Sequence, residues 1–484
     1  AALLFDGTDE RSMTDALIRI SNDRALCAQL VERGRTRVKR FHWSETARST
    51  IRCYYRTHWA GIGANPLEQE GEKRRQLLAF ETTKPLVMIV SHVTIINPSA
   101  GNELRLFKLI RHLMKTGYRV AFLYCPLDGK LLNEEERLEV IKYVDYFQQV
   151  GMQDRAAAQD HPSLAGDFVK RNQEPELTGL AEMEERFCPA AAIKATDEWI
   201  RELKPAIVIA LYVWMSRLLK IVPPGILKVI DLIDKFSDKT EKVIAHGVAD
   251  SLAISNEEEA LLINRADLAL AIQDLERERF RDLPIKPMLI TTGIDFELKR
   301  TPPISAGEHP VALIVASGNA LNVHSLRMFL EKVWRVIGSS LPELRLRVVG
   351  KGGTELTWND PRVELVGYVN DVDEEYRRAL FVINPVVAGT GLKIKSVEAL
   401  AHGKALLSTP AGVEGLPREE GDLFLVARDA TEFQTKIRQL VGDAGLRRRL
   451  ENHACQYVSD SLNPQAVYRD LLQAFDLFLK GRPQ

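Results

Sequence analysis

Residues 86–124 read LVMIVSHVTIINPSAGNELRLFKLIRHLMKTGYRVAFLY, and the way this stretch folds decides the class of the whole chain. LVMIVSHV (86–93) is an almost unbroken apolar run, the mark of a strand covered on both faces in a parallel sheet. The loop TIINPSAGN leads into a helix whose apolar positions are Leu106, Leu109, Ile110 and Leu113, and Gly117 stops it. YRVAFLY (118–124) is the next strand. Strand, crossing helix and strand make one complete parallel unit.

The same rhythm continues outward. Strands are expected at AIVIALYV (206–213), LKVID (227–231), LALAI (268–272) and MLIT (288–291), while 126–200 reads as mostly polar and helical. ELKRTPPISAGEHP (297–310), with three prolines and a glycine, breaks the pattern as an interdomain linker. A second series follows: VALIVAS, LRLRVVG, VELVG, LFVIN, KALLS and LFLV, with helices between. Two such series predict an α/β chain of two doubly wound, Rossmann-like domains, with ligands in the crevice at the carboxyl ends of the strands. The expected segments are a tail at 1–60, a linker at 61–84, an amino-terminal domain at 85–300, a carboxyl-terminal domain at 301–465, and a terminal helix at 466–484 that crosses back to the first domain. The tail carries an internal echo. LLFDGTDERSMTDALIRISNDRALCAQL (3–30) aligns to residues near the second domain's end at an offset of 420, with Asp9 on Asp429, Asp23 on Asp443, Leu26 on Leu446 and Leu30 on Leu450. Residues 1–60 therefore read as the tail of a preceding, related domain; two amphipathic helices matching by chance is the blander account.

Bulk composition narrows the functions. The 484 residues are 45% hydrophobic and 27% charged with net charge −1, which provides no field for gripping nucleic acid. The longest apolar run, AIVIALYVWM (206–215), is about half of a bilayer span. Cys27, Cys53, Cys125, Cys188 and Cys455 lie far apart, without CxxC pairs or histidines at metal-ligand spacing. A reduced, cytoplasmic protein without a structural metal is the expectation.

The stretch that carries chemistry is GTGLKIKSVEAL (389–400), which follows the strand FVINP and precedes KALLST. Ile394, Val397, Leu400 and Ala401 form the apolar stripe of a helix from about 392 to His402. The glycine turn then sits at a strand's carboxyl end and a helix's amino end, where free N–H groups and the helix dipole favour an anion. Gly389 and Gly391 allow close approach to a phosphate, Thr390 adds a hydroxyl, and Lys393 a charge. Glu398 lies about 9 Å further along the axis at 1.5 Å per residue, in range of a ribose whose phosphates sit at the helix tip. The alternative is a plain loop, with Lys395 and Glu398 as a solvated i, i+3 bridge.

The blocks ASGNALNVHSLRMFLEKVW, LRLRVVGKGG and VELVGYVNDVDEEYRRALFVINPVVAGTGLKIKSVEALAHGKALLSTPAGVEGL resemble, in order and spacing, the family 4 retaining glycosyltransferases. PSAGNELRLFKLIRHLMKTGYRV, EEEALLINRADLALAIQDLERERF and LITTGID extend the resemblance through 85–480, and RFHWSETARSTIRCYYR looks like the tail of another such transferase. The resemblance implies the two-domain GT-B fold. It also implies that Glu398 holds the donor nucleotide's ribose, and that Gly389, Thr390, Gly391 and Leu392 meet the diphosphate and donor sugar. By the same resemblance Gly318 and Asn322 belong to the loop after the nucleotide domain's first strand, and Gly367 and Tyr368 lie beside the base. Lys351 reaches the phosphates, and Gly101 belongs to a loop closing over donor and acceptor.

The sequence departs from that pattern in three places. The family's motif has two glutamates eight residues apart, and the earlier position here is Thr390. The basic pair usual after the second domain's first strand is missing from ASGNALN, leaving Lys351 or Lys393 to neutralise the departing diphosphate. Where the family often has a histidine, VIDLIDKFSD offers Asp231 and Asp234; His92, ending the first strand, is a further cleft candidate. The implied reaction moves a sugar from a nucleotide-diphosphate donor to an acceptor hydroxyl of a glycan or lipid-linked glycan, with retention, no required cofactor and no metal, in surface polysaccharide or glycan synthesis. Lys393, Lys351 and Asp231 are the expected catalytic groups. Two rivals stand beside it: a GT-B nucleotide-sugar epimerase using Asp231 and Asp234, and a degenerate transferase-like binding module in a multidomain protein. RGRTRVKRF (33–41) offers a peripheral contact with the inner membrane face, against the plainer account of a solvated helix face.

Overall fold

The computed structural model describes residues 14–15, 18–19, 22–23, 25–31, 85–98, 100–127, 129–151, 180–238, 254–299, 309–369, 371–388, 391–417 and 421–481. The chain divides into two compact units, residues 1–81 with 137–142 and residues 82–136 with 143–484, and both sheets lie in the second. The linker at 61–84, most of the amino-terminal tail, the basic run at 33–41, Gly389 and Thr390 fall outside the described residues.

The first lobe is a seven-stranded sheet of order β3-β2-β1-β4-β5-β6-β7. Its strands are β1 Leu86–Ser91, β2 Arg119–Tyr124, β3 Tyr146–Gln149, β4 Ile207–Leu211, β5 Leu227–Asp231, β6 Leu268–Ala271 and β7 Met288–Thr291. The second lobe is a six-stranded sheet of order β10-β9-β8-β11-β12-β13. There β8 is Val311–Val315, β9 Arg345–Val349, β10 Val363–Gly367, β11 Phe381–Asn384, β12 Leu406–Ser408 and β13 Leu425–Val426. All strand pairs are parallel. The apolar runs explain this: every residue of β1 and of β4 is buried, as strands covered by helices on both faces must be. The order reverses between β1 and β4 and between β8 and β11, and the carboxyl ends of those pairs open the crevice of each lobe.

One strand departs from expectation. β3 lies in the stretch read as helical, because YFQQ is a short edge strand buried only at Tyr146 and carrying two glutamines. An edge strand keeps one flank in solvent, so it lacks the apolar run that marks the central strands.

Six helices matter below: α1 Gly101–Lys115, α2 Asp274–Arg281, α3 Ala320–Phe329, α4 Val372–Arg378, α5 Ile394–Ala401 and α6 Arg469–Lys480. Ile272, Ile294 and Phe296 of the first lobe share one buried cluster with Leu313, Val382, Val397 and Leu400 of the second. Burying each such side chain contributes about 1.5–3 kcal/mol, so the seam between the lobes is part of the core. The terminal helix α6 packs on the first lobe: Phe475 meets Tyr118 edge-on, and the Tyr118 hydroxyl donates to Asp476 Oδ1 at 3.2 Å. Just before it, Tyr468 stacks on His112 and donates to Asp295 Oδ1 at 2.9 Å.

Within the described part of the tail one detail matches the internal echo. Asp23 Oδ1 accepts from the Leu26 N–H at 2.8 Å, as Asp443 Oδ1 does from Leu446, 420 residues on. No helix among the described residues is long and apolar enough to cross a membrane.

Candidate active site at the seam between the lobes

The loops after β8, β9 and β10 are laced together. Ala316 donates to Val349 O, Gly352 to Ala316 O and Gly350 to Gly367 O, all at 3.0 Å or less. Gly350 has φ 102, and a Cβ there would lie 2.3 Å from Ala316 O, so only glycine fits. This lacing sets Gly318 against Lys351, whose Cβ would lie 3.2 Å from a Cβ on the glycine. Asn319 caps α3 by accepting from the Asn322 N–H, and Asn322 Nδ2 donates to Ser317 Oγ at 2.6 Å. Lys351 is exposed, and Tyr368 stands out from the rim at 71% exposure. Five residues picked from the sequence, Gly318, Asn322, Lys351, Gly367 and Tyr368, thus share one polar rim with an aromatic face.

The glycine turn behaves differently from expectation. Helix α5 begins at Ile394 with Lys393 at its cap position, two residues later than predicted. Lys393 is buried, and its Nζ donates back to Gly391 O at 3.0 Å and lies 3.8 Å from Glu414. The Gly391 N–H, expected to wait for a phosphate, donates to Glu276 Oε1 on α2 at 2.9 Å. Gly391 has φ 71, and a Cβ there would lie 2.5 Å from Asp234 Oδ1. Leu392 borders a cavity on the other side. Glu398 is half-buried, with Lys395 donating to it at 3.0 Å. The buried Tyr376 hydroxyl of α4 lies close enough for the Glu398 charge to hold its proton on, after burial itself, though without a well-aligned hydrogen bond.

On the first lobe, Gly101 opens α1 against α5: a Cβ on it would lie 2.9 Å from Ile394 Cγ1. Asp231 is a correction. It is wholly buried at the end of β5 and clamped by Arg105, whose Nε donates to both carboxylate oxygens and whose Nη2 donates at 2.7 Å. Wholly buried and paired with Arg105, Asp231 ties α1 to the sheet and presents no accessible oxygen to a substrate. Three residues on, Asp234 does face the seam. A tight turn closed by Asp234 N–H to Leu232 O at 2.7 Å, centred on Ile233 at φ 62, aims it. Tyr212, at φ 67 after β4, accepts from Asn102 Nδ2 and stacks on His92. Burial pushes His92 down to about 4, so it is neutral at physiological pH, and its Nδ1 has no partner among the described residues. Bulky residues at positive φ mark stored strain, which gathers at working sites.

Sequence reading missed Glu276, Tyr212 and Asn102. In QDLERERF, Glu276 and Phe280 stand at i, i+4 and share the buried face of α2. The Glu276 carboxyl is pushed up to about 8, first by burial and then by the charge of Asp234; the Gly391 N–H, Lys393 and Arg279 pull it down. An unfolded glutamate titrates near 4.5, so the folded chain holds the extra proton and stability falls as pH rises from about 4.5 to about 8. Denaturation midpoints at about pH 5 and pH 8 should show this slope, and Glu276→Gln should flatten it. Equal slopes in the two proteins would count against the coupling.

A cavity of about 1050 Å³ lies between the lobes at the ends of β6, β7 and β13, lined by Gln273, Thr291, Leu392, Glu414, Arg428 and Tyr457. Gly318, Lys351 and Tyr368 are not among its lining residues. We therefore place the candidate site at the rim and turn, where strand ends and polar groups converge, and not in this cavity.

Residues 309–443 match the family model described as glycosyl transferases group 1. A curated relative, an uncharacterized 44.6 kDa protein in the cps region of Klebsiella pneumoniae, is 18% identical over 163 residues, which are 31% of this chain and 42% of that protein. The chain thus spans less than half the length of that relative. Among solved structures it is similar to sucrose-phosphate synthase from Thermosynechococcus elongatus, with TM-score 0.58, 13% identity, and 82% of this chain and 100% of that one covered. Anabaena HepE in complex with UDP and glucose has TM-score 0.55 and 14% identity, covering 81% of this chain and 99% of that one. TarM gives 0.59 at 8% identity, over 81% and 99%. These likenesses establish the fold: two Rossmann-like lobes in the GT-B arrangement.

Proposed function

We propose that this GT-B chain transfers a sugar from a nucleotide-diphosphate donor to an acceptor hydroxyl of a glycan or lipid-linked glycan, with retention at the anomeric carbon. One observation carries the reading: the loops after β8, β9 and β10 and Glu398 of α5 all lie in the lobe that matches the group 1 glycosyl transferase model. UDP and glucose in the Anabaena HepE structure support a nucleotide-sugar as donor, and the relative from a cps region supports a role in surface polysaccharide synthesis.

In this reading the base lies against Tyr368 and the ribose hydroxyls donate to Glu398. The diphosphate meets Lys351 and the Asn319-capped amino end of α3. A leaving diphosphate gathers negative charge as the sugar becomes oxocarbenium-like, and a cation with oriented N–H groups stabilises it most at that moment. Lys351 suits that role better than Lys393, whose Nζ is turned to Gly391 O and Glu414. His92, Tyr212 and Asn102, at the β1–β4 reversal, line the acceptor side. Closure of the lobes excludes water that would compete with the acceptor.

Calorimetric titration with UDP-, GDP- and ADP-sugars tests the proposal, followed by measurement of acceptor-dependent release of the nucleoside diphosphate. Turnover without acceptor would instead indicate an epimerase, and no heat with any donor a binding module. Tyr368→Ala should weaken the bound nucleotide by about 1 kcal/mol, roughly fivefold, through lost base stacking. An unchanged affinity removes Tyr368 from the site.

A further inference from the structure

The surroundings of Gly391 carry an inference that rests on the transferase reading and names what the turn receives. Three carboxylates, Asp234, Glu276 and Glu414, approach the turn. Glu414 is taken by Arg279 at 2.6 Å, with Lys393 3.8 Å away. Asp234 and Glu276 form no ion pair with any described residue, and Lys393 gives its hydrogen bond to Gly391's own carbonyl. A diphosphate placed here would meet the charge of Asp234 beside the proton-bearing carboxyl of Glu276 in a water-poor seam.

Glu276 is 1% exposed and splits its oxygens. Oε1 accepts from the Gly391 N–H, which fixes the carboxyl group in place, while Oε2 has no partner among the described residues. A buried oxygen of this kind calls for a hydrogen-bond partner that can accept as well as donate, as a hydroxyl does. From the other side of the turn, Asp234 Oδ1 reaches to 2.5 Å of where a Gly391 Cβ would stand. Two carboxyl groups from separate elements of the first lobe therefore border the same patch of the second lobe's turn. The chemical partner they suit is a set of hydroxyls, which donate to carboxyl oxygens without bringing charge.

We propose that Asp234 and Glu276 form the hydroxyl-reading wall of the subsite for the transferred sugar, and that this wall selects a neutral sugar over one bearing a carboxylate. The Gly391 N–H orients Glu276, and the diphosphate belongs at the rim of Gly318, Asn322 and Lys351. A site built to bind a hydroxyl rejects a ring that lacks it, because its own buried polar atoms are left unpaired. A hexuronate is rejected by charge.

The test uses UDP, UDP-glucose, UDP-galactose and UDP-glucuronate, titrated into the full chain and into Glu276→Gln and Asp234→Asn. Both variants are near-isosteric, and circular dichroism confirms that they fold. Each variant should lose about tenfold in affinity for the preferred UDP-hexose while its affinity for UDP stays within about threefold. The wild-type chain should bind the hexose conjugate at least about tenfold more tightly than UDP-glucuronate, and Asp234→Asn should narrow that gap. Equal losses for UDP and UDP-hexose, or a hexuronate bound as tightly as a hexose, overturn the proposal and leave the transferase reading standing. If UDP, GDP and ADP and their sugars all fail to bind the wild-type chain, both readings fall.

Discussion

Arg105→Met should cost the first lobe about 3–5 kcal/mol, seen as a lower denaturant midpoint, because it leaves Asp231 charged, buried and unpaired. Arg105 is 1% exposed and Asp231 is wholly buried. The guanidinium spends every arm: Nε and Nη2 on Asp231, Nη1 on Gly293 O at 3.0 Å and on Thr292 O. It therefore ties α1 to the ends of β5 and β7, so the loss spreads beyond one ion pair. Asp231→Leu combined with Arg105→Met is the informative partner. Replacing both ions with apolar groups of similar size removes the stranded charge and should restore most of the stability. If the single variant loses less than about 1 kcal/mol, Asp231 is not held as described. If the double variant is no better than the single one, the cost lies in the lost carbonyl contacts instead.

This pair also shows what could be read from sequence and what could not. Central strands were legible because burial on both faces leaves an apolar run, as in LVMIV (86–90) and AIVIAL (206–211). The glycine-bearing loops at 318 and 367 were picked through the family resemblance, and Gly367 has φ 76, a conformation that favours glycine. What escaped were roles set by partners far along the chain. Asp231 was picked as a chemically able carboxylate at a strand end; Arg105, 126 positions earlier, makes it structural. Glu276 was not picked from the sequence; Gly391, 115 positions later, makes it part of the seam. A carboxylate's neighbourhood decides whether it binds, positions or simply dissolves, and no local spacing encodes that neighbourhood.

Glu398→Ala should weaken nucleotide-diphosphate binding by about a hundredfold, with tenfold as the least effect consistent with a ribose contact. A carboxylate accepting from two ribose hydroxyls makes two charge-assisted hydrogen bonds worth about 1.5–3 kcal/mol each. Against that stands the Lys395 contact at 3.0 Å, an i, i+3 pair partly open to solvent and worth about 0–1 kcal/mol, which the ribose displaces. The difference is about 2–6 kcal/mol, and at 1.4 kcal/mol per factor of ten the hundredfold loss sits at its lower end. The substitution spares the fold, since the backbone bonds from His402 to Glu398 O do not involve the side chain. Lys395→Ala is the control: it frees the carboxylate and should change affinity by less than about threefold. Glu398→Gln keeps the shape and one acceptor without the charge, and should fall between wild type and alanine. A nucleotide that titrates into Glu398→Ala as it does into wild type would show that the carboxylate serves only Lys395, and the donor would have to be sought elsewhere along the seam.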